Sequence, residues 1–179
     1  MKYSKKIILK EMFSYVKIIG FGIILAFLFS TCIVVNAQTP TSSMENTIMP
    51  GDRYFGFRLS YIVDVPQRQD IVIFKWPDDE SEKYVKRIIG IPGDVVEIKN
   101  YQVYVNGELL DEPYLKEPMT LDQKMTFIVP DNSYFMLGDN RNISKDARYW
   151  TNTYVKRNEI LGKAIFKYYD GNVTFKMME

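Results

Sequence analysis

Apolar residues are distributed along this chain in two unlike ways. Residues 18–35 form a run of 18 positions without a single charge, and at 1.5 Å per residue a helix of that length reaches roughly 27 Å, close to a hydrocarbon core of about 30 Å. Beyond Ala37 the pattern breaks into short apolar or alternating stretches separated by turn residues, a period near two that predicts strands rather than helices. The stretches fall at 54–61, 70–76, 84–89, 95–99, 101–105, 126–129, 134–137, 160–169 and 173–176. Asn106-Gly107, between Val103-Tyr104-Val105 and Leu109-Leu110, is the dipeptide expected at a tight type I′ hairpin turn. With a second reversal near Lys99-Asn100, residues 94–111 read as a small meander. The stretch 110–124 is polar, holds Pro113 and Pro118, and is expected to cross the surface as a loop. The predicted fold class is therefore mostly β, with one N-terminal transmembrane helix.

Charge orients that helix. Lys2, Lys5, Lys6, Lys10 and Lys17 precede or open the apolar run against Glu11 alone, and positive-inside bias then keeps the N-terminus cytoplasmic and puts everything after Val35 outside the membrane. This divides the chain into a cytoplasmic 1–17, an anchor at 18–35 and an extracytoplasmic β part at 36–179. A cleavable secretory signal is the competing reading, because Val35-Asn36-Ala37 has small residues where such a cut falls. The run exceeds the 7 to 15 residues usual in the centre of a signal, which favours an anchor.

Composition narrows the chemistry. The chain has no histidine and a single cysteine, Cys32, so Ser-His-Asp catalysis is excluded, an internal disulfide is impossible, and a zinc site would need carboxylates alone. With 23 Lys+Arg against 22 Asp+Glu, there is no basic footprint for nucleic acid. A hydrolase built from these residues must activate its nucleophile without imidazole, which points to a serine activated by lysine. The candidates are Ser43 and Lys86.

These two lie in motifs. Pro40-Thr41-Ser42-Ser43-Met44 is followed by Pro50-Gly51-Asp52, then by Asp70-Ile71-Val72-Ile73-Phe74-Lys75, by Tyr84-Val85-Lys86-Arg87-Ile88-Ile89-Gly90-Ile91-Pro92-Gly93-Asp94, and by Gly138-Asp139-Asn140-Arg141 with Ser144, Asp146 and Arg148. In order and spacing these blocks, from Pro40 to Trp150, resemble those of the bacterial type I signal peptidases, serine-lysine endopeptidases of the short Gram-positive form. The resemblance implies Ser43 as nucleophile and Lys86 as general base, with the Ser43 N–H and the Thr41 hydroxyl as the oxyanion hole. It also implies that Ser144 orients the base and that Asp146, Arg148, Asp139 and Arg141 are structural residues near the site. Asp139 and Asn140 read as turn braces that bond to backbone, and residues 94–133 as a reduced form of the family's peripheral β-region. The chain departs from the pattern at Asn142 and Ile143, where many members carry an acidic and then a small polar residue.

The physics sets a condition on Lys86. An ordinary lysine, with a pKa near 10.4, is neutral only about 0.04% of the time at pH 7, whereas burial that lowered the value to roughly 8 would raise the neutral fraction to about 10%. Tyr84, Val85, Ile88 and Ile89 supply apolar neighbours for such burial. Gly90 and Pro92-Gly93 read as a sharp turn that ends the lysine strand.

The resemblance implies membrane-bound removal of signal peptides from secretory precursors with small residues before the cut. The partners are those precursors and the lipid bilayer, no nucleic acid and no cofactor, and a monomer is expected. Two other classes stand beside it: a signal-peptidase-like assembly or chaperone factor for surface proteins such as pilins, hinted at by Asn142 and Ile143, and a membrane-tethered binding module that shares only the fold.

Overall fold

The computed structural model describes residues 2–178, and the chain divides into two compact units, Met1–Val34 and Val35–Glu179. The first is dominated by one helix, α1 (Lys2–Leu28), which closes in a π-helical turn, Phe29–Ile33. Thr31 Oγ1 and Ser30 Oγ donate back to the Phe27 carbonyl at 2.8 and 2.9 Å, so the hydroxyls near the helix end are satisfied inside the helix itself. The stretch long and apolar enough to cross a membrane is Leu9–Ile33, 25 residues that hold an 18-residue window of mean hydropathy 2.3. It begins earlier than the charge-free run because Leu9, Met12, Phe13 and Val16 carry apolar side chains past Lys10, Glu11 and Lys17. It also ends two residues sooner. Val34 and Val35, read from the sequence as the last anchor residues, open strand β1 (Val34–Gln38), as suits β-branched side chains.

The second unit is built from two antiparallel sheets. The larger uses β1, β2 (Arg53–Phe57), β3 (Ile71–Trp76), β4 (Asp79–Gly90), β9 (Ser133–Leu137), β10 (Val155–Lys156), β11 (Ile160–Tyr169) and β12 (Val173–Met177), in the order β1-β2-β11-β3-β4-β9-β10 with β12 paired to β11. The smaller has the order β7-β6-β5-β8, from β5 (Val95–Lys99), β6 (Gln102–Val105), β7 (Glu108–Leu109) and β8 (Met125–Ile128). Its hairpins reverse at Asn100-Tyr101 and Asn106-Gly107, and all four of these residues have positive φ, from 52° to 85°. That is the geometry a two-residue type I′ turn requires.

The nine stretches expected as strands each overlap one, with two differences of note. The expected strand at 54–61 stops at Phe57, and Tyr61 lies instead in a four-residue helical turn, α2 (Ser60–Val63), with its hydroxyl donating to Asp70 at 2.8 Å. Gly90, read as a turn glycine, closes β4 itself. A Cβ there would meet Val129 and Val96 side chains at 2.7 Å, so the need is close packing, and it is Gly93 that has positive φ.

One core joins the two sheets, with Ile88, Val96, Val103, Phe135 and Met136 fully buried; a second lies between β1, β2 and the loop after β1, around Met44, Ile48, Tyr54 and Ile73. Strand β4 takes part in both. Successive side chains on a strand point to opposite faces, so Tyr84, Lys86 and Ile88 share one face and Val85 and Arg87 the other; at the register shift between Ile88 and Gly90, Ile89 joins Ile88 in the first core.

Candidate active site

The loop that carries Ser43 is closed at its ends and pinned from inside. Thr39 N–H donates to the Asp52 carbonyl at 3.2 Å and Gly51 N–H to the Thr39 carbonyl at 2.7 Å. Met44 and Ile48 are fully buried beneath it, and the Lys167 ammonium pairs with Asp52 and donates to the Thr47 carbonyl at 3.1 Å. Such a loop fixes the backbone around Ser43 although it is not a regular element.

Strand β4 brings Lys86 to this loop from 43 residues away, and Lys86 Nζ donates to Ser43 Oγ at 2.5 Å. The two are 4% and 8% exposed. Burial lowers the Lys86 pKa from 10.5 to about 8, against the attraction of the Asp146 and Asp139 carboxylates, which act to raise it. Thr41 Oγ1 lies 3.3 Å from Ser43 Oγ, and among the described residues no acceptor meets the Ser43 N–H. That N–H and the Thr41 hydroxyl are donors beside the serine oxygen.

A third segment, residues 138–148, packs against the pair. Asn140 donates through its N–H to the Ser43 carbonyl at 3.1 Å and through Nδ2 to the Ser42 carbonyl at 3.2 Å. Gly138 is pressed so closely that a Cβ would collide with the Ser43 carbonyl oxygen and the Ser144 hydroxyl. Asp146 accepts from the Gly138 N–H at 3.1 Å and takes a two-point pair from Arg148, at 2.7 and 2.9 Å. Arg148 in turn donates to the Arg141 carbonyl, and Arg141 to that of Gly138, at 2.7 and 3.0 Å.

Two of the residues read from sequence behave differently. Ser144 is buried, but its hydroxyl has no hydrogen-bond partner and makes no bond to Lys86. Asp139 was expected to bond to backbone; its carboxylate instead takes the Arg87 guanidinium in a fork, at 2.9 and 2.8 Å, and the Thr47 hydroxyl at 2.5 Å. A guanidinium offers two parallel donors that match a carboxylate, which no turn amide can equal. Arg87, Thr47 and Glu112, which grips Arg141 at 2.9 and 2.5 Å, had no role in the sequence reading. The available signal was Arg87 itself, a charge inside a strand run of buried apolar residues.

A cavity of about 530 Å³ opens over Ser43 and Lys86, bordered by residues 35–39 of β1 and its following turn, residues 82–86 of β4, and Ile143 with Lys145. Strand β1 is the edge of its sheet, and β4 pairs with β9 only from Arg87 onward. Two unpartnered strand edges therefore flank the cavity. Among the described residues no group of three or more His, Cys, Asp or Glu side chains is placed to hold a metal ion.

Comparison with known proteins gives a consistent family. The model of the signal peptidase, peptidase S26, family matches residues 12–169. A probable signal peptidase I-2 of Synechocystis sp. is 39% identical over 153 residues, 83% of this chain and 69% of the relative. Signal peptidase I of Bacillus amyloliquefaciens is 34% identical across 96% of this chain and 94% of its own length. Signal peptidase I S of Bacillus subtilis is 36% identical, with 94% of each covered.

Proposed function

The chain belongs to the signal peptidase, peptidase S26, family, and from that premise we propose that this peptidase cuts signal peptides from exported precursors with Ser43 as nucleophile and Lys86 as general base. The observation that carries the reading is the 2.5 Å contact between a buried amine and a buried hydroxyl, the amine's pKa being held down to about 8 by burial. At that value about 10% of the amine is neutral at pH 7.

Neutral Lys86 takes the proton of Ser43 Oγ as that oxygen attacks the scissile carbonyl, and returns it to the leaving amine as the acyl-enzyme forms. Lys86, neutral again, then takes a proton from the water that attacks the ester, and passes that proton to Ser43 Oγ as the acyl C–O bond breaks and the acid product leaves. Negative charge on the carbonyl oxygen is met by the Ser43 N–H and the Thr41 hydroxyl, and one such donor is worth roughly 2.7 to 4 kcal/mol. Ser144 packs beside the pair, while Asp146, Arg148, Asp139 and Arg141 hold the surrounding loop. The precursor binds as an added strand in the cavity between the edges of β1 and β4, where backbone bonding secures it and alternate side chains enter the walls.

The N-terminal apolar helix, whose membrane-crossing stretch is Leu9–Ile33, anchors the enzyme in the cell membrane, with the lysine-rich start of the chain cytoplasmic and the catalytic part extracytoplasmic. The enzyme works as a monomer. An assembly factor without peptidase activity is the weaker reading, since it would have no need to keep a lysine dry against a serine.

The test is incubation of the full chain in detergent micelles with a signal-bearing precursor, read by mass spectrometry. Wild type yields two fragments cut after a small residue, and Ser43→Ala yields none. Equal cleavage by Ser43→Ala would remove Ser43 from the mechanism.

A further inference from the structure

The segment between β7 and β8 does more than connect them. Glu112, with its side chain 7% exposed, grips an Arg141 side chain that is fully buried. The Tyr114 ring lies 3.8 Å from the Arg87 guanidinium, and the Tyr114 carbonyl accepts from Asn46 at 3.0 Å. Lys116 pairs with Glu45 at 2.9 Å. Further on, the Asn142 amide donates to Glu117 at 2.9 Å and to the Pro118 carbonyl at 3.1 Å, while its oxygen accepts from the Thr120 N–H and hydroxyl at 2.9 and 3.1 Å. One segment thus touches the loop after Ser43, the strand of Lys86 and the loop of Asn140.

Asn142 is one of the two positions where the chain departs from its family's pattern, and the departure has a local partner. An asparagine here satisfies acceptors and donors at once, whereas an aspartate would set its carboxylate against that of Glu117. The loop held in this way is the one whose Asn140 bonds to the Ser42 and Ser43 carbonyls.

We propose that residues 112–120 form a clasp on the 138–144 loop, and that Glu112 and Asn142 are positioning residues that keep the Ser43–Lys86 pair closed to water. The proposal rests on the reading of Lys86 as base. The clasp acts on Lys86 through burial rather than charge. The amine faces Asp146 and Asp139 from the 138–148 segment, uncharged Ser43 from the loop after β1, and the Tyr84 ring on its own strand, with Glu82, Lys83 and Lys145 around the cavity. Glu112 is not among the carboxylates that act on it.

The sign of the response separates the two routes. Removing the Glu112 charge would, by its field, make the amine easier to deprotonate; opening the clasp admits water and does the reverse. In the full chain in detergent micelles, Glu112→Gln is expected to lower kcat about 10- to 100-fold, the size of effect a small misplacement of reacting groups produces, with KM little changed and the acid limb of the pH profile moved to higher pH. Asn142→Asp is expected to lower kcat about 3- to 10-fold, as loss of one or two hydrogen bonds would, and Glu117→Gln added to it restores most of the loss by giving the aspartate a donor. A wild-type kcat and acid limb in Glu112→Gln, or an Asn142→Asp defect that Glu117→Gln leaves untouched, overturns the clasp. Should Glu112→Gln unfold, the Asn142 and Glu117 variants, on exposed or half-exposed positions, decide alone. Titration of the Lys86 amine by NMR of lysine-labelled chain reads the same upward shift in Glu112→Gln without turnover, so a clasp that holds and a peptidase reading that fails remain distinguishable.

Discussion

Two cations stand next to each other on β4 and meet opposite fates. Lys86 and Arg87 are 4% and 2% exposed, yet the first faces a neutral hydroxyl and the second a carboxylate fork, a hydroxyl, the Gln69 carbonyl and an aromatic ring. A guanidinium keeps its charge in any protein environment, so it is stable inside only when paired. An ammonium can lose its proton instead, and burial without a partner makes it do so. The alternation of the strand sends the two to different faces, one where a charge is paired and braced and one where an amine is buried beside a hydroxyl.

Exchanging the two chemistries gives the largest effect. Lys86→Arg places a permanent cation beside Ser43, and cleavage is expected to fall by at least about 10⁴-fold, as deep as in Lys86→Ala, because neither side chain can accept the proton. Initial rates of precursor cleavage measure this; an arginine variant within tenfold of wild type would take Lys86 out of the role of base. Next in size, Arg87→Met leaves Asp139 buried without its counter-charge. A loss of about 3 to 5 kcal/mol in unfolding free energy is expected, read by chemical denaturation. A variant as stable as wild type would mean that the fork on Asp139 is not what secures that face.

Much of this was readable from the chain and some was not, for a physical reason. Period-two alternation located β11 and β5, and Asn106-Gly107 marked the turn between β6 and β7, because these signals are written in neighbouring residues. Ser43 and Lys86 were singled out by block order, since nothing local distinguishes a lysine that will be buried against a serine from an ordinary one. Strand β1 was hidden inside an apolar run that read as membrane anchor through Val35; whether a valine pair continues a helix or pairs with β2 is decided by a partner nearly twenty residues on. Partner choice was also what escaped at Asp139, whose fork comes from 52 residues away, and at Glu112, whose grip on Arg141 spans 29. Composition names the charges but not who faces whom.

A smaller effect concerns stability and runs against activity. Because the folded protein holds Lys86 at about 8 and an unfolded lysine titrates at 10.5, the unfolded chain carries a proton that the folded one has given up between those values. Stability therefore rises with pH through that window, and below about pH 8 the full penalty, about 3 kcal/mol, applies. Lys86→Met removes the penalty but strands the Ser43 hydroxyl, at about 1 kcal/mol. The inactive variant is expected to be about 2 kcal/mol more stable than wild type at pH 7, and to lose the rise between pH 8 and 10.5. A methionine variant less stable at pH 7, or one that keeps the rise, would show that the amine is not the dry group described.

The smallest effect links the two residues. Asp139 holds Arg87 and at the same time favours the charged form of Lys86 from a distance. In Asp139→Asn that attraction is lost and the guanidinium of Arg87 goes uncompensated, and both changes disfavour the ammonium. The acid limb of kcat/KM is then expected to move to lower pH, by less than the burial effect it formerly opposed, while stability falls because the fork is gone. Were Asp139 a brace and nothing more, stability would fall with the limb unmoved. A limb displaced downward in a weakened protein is the combination that only a charge shared between the two faces of β4 produces, since simple loosening would wet Lys86 and drive the limb the other way.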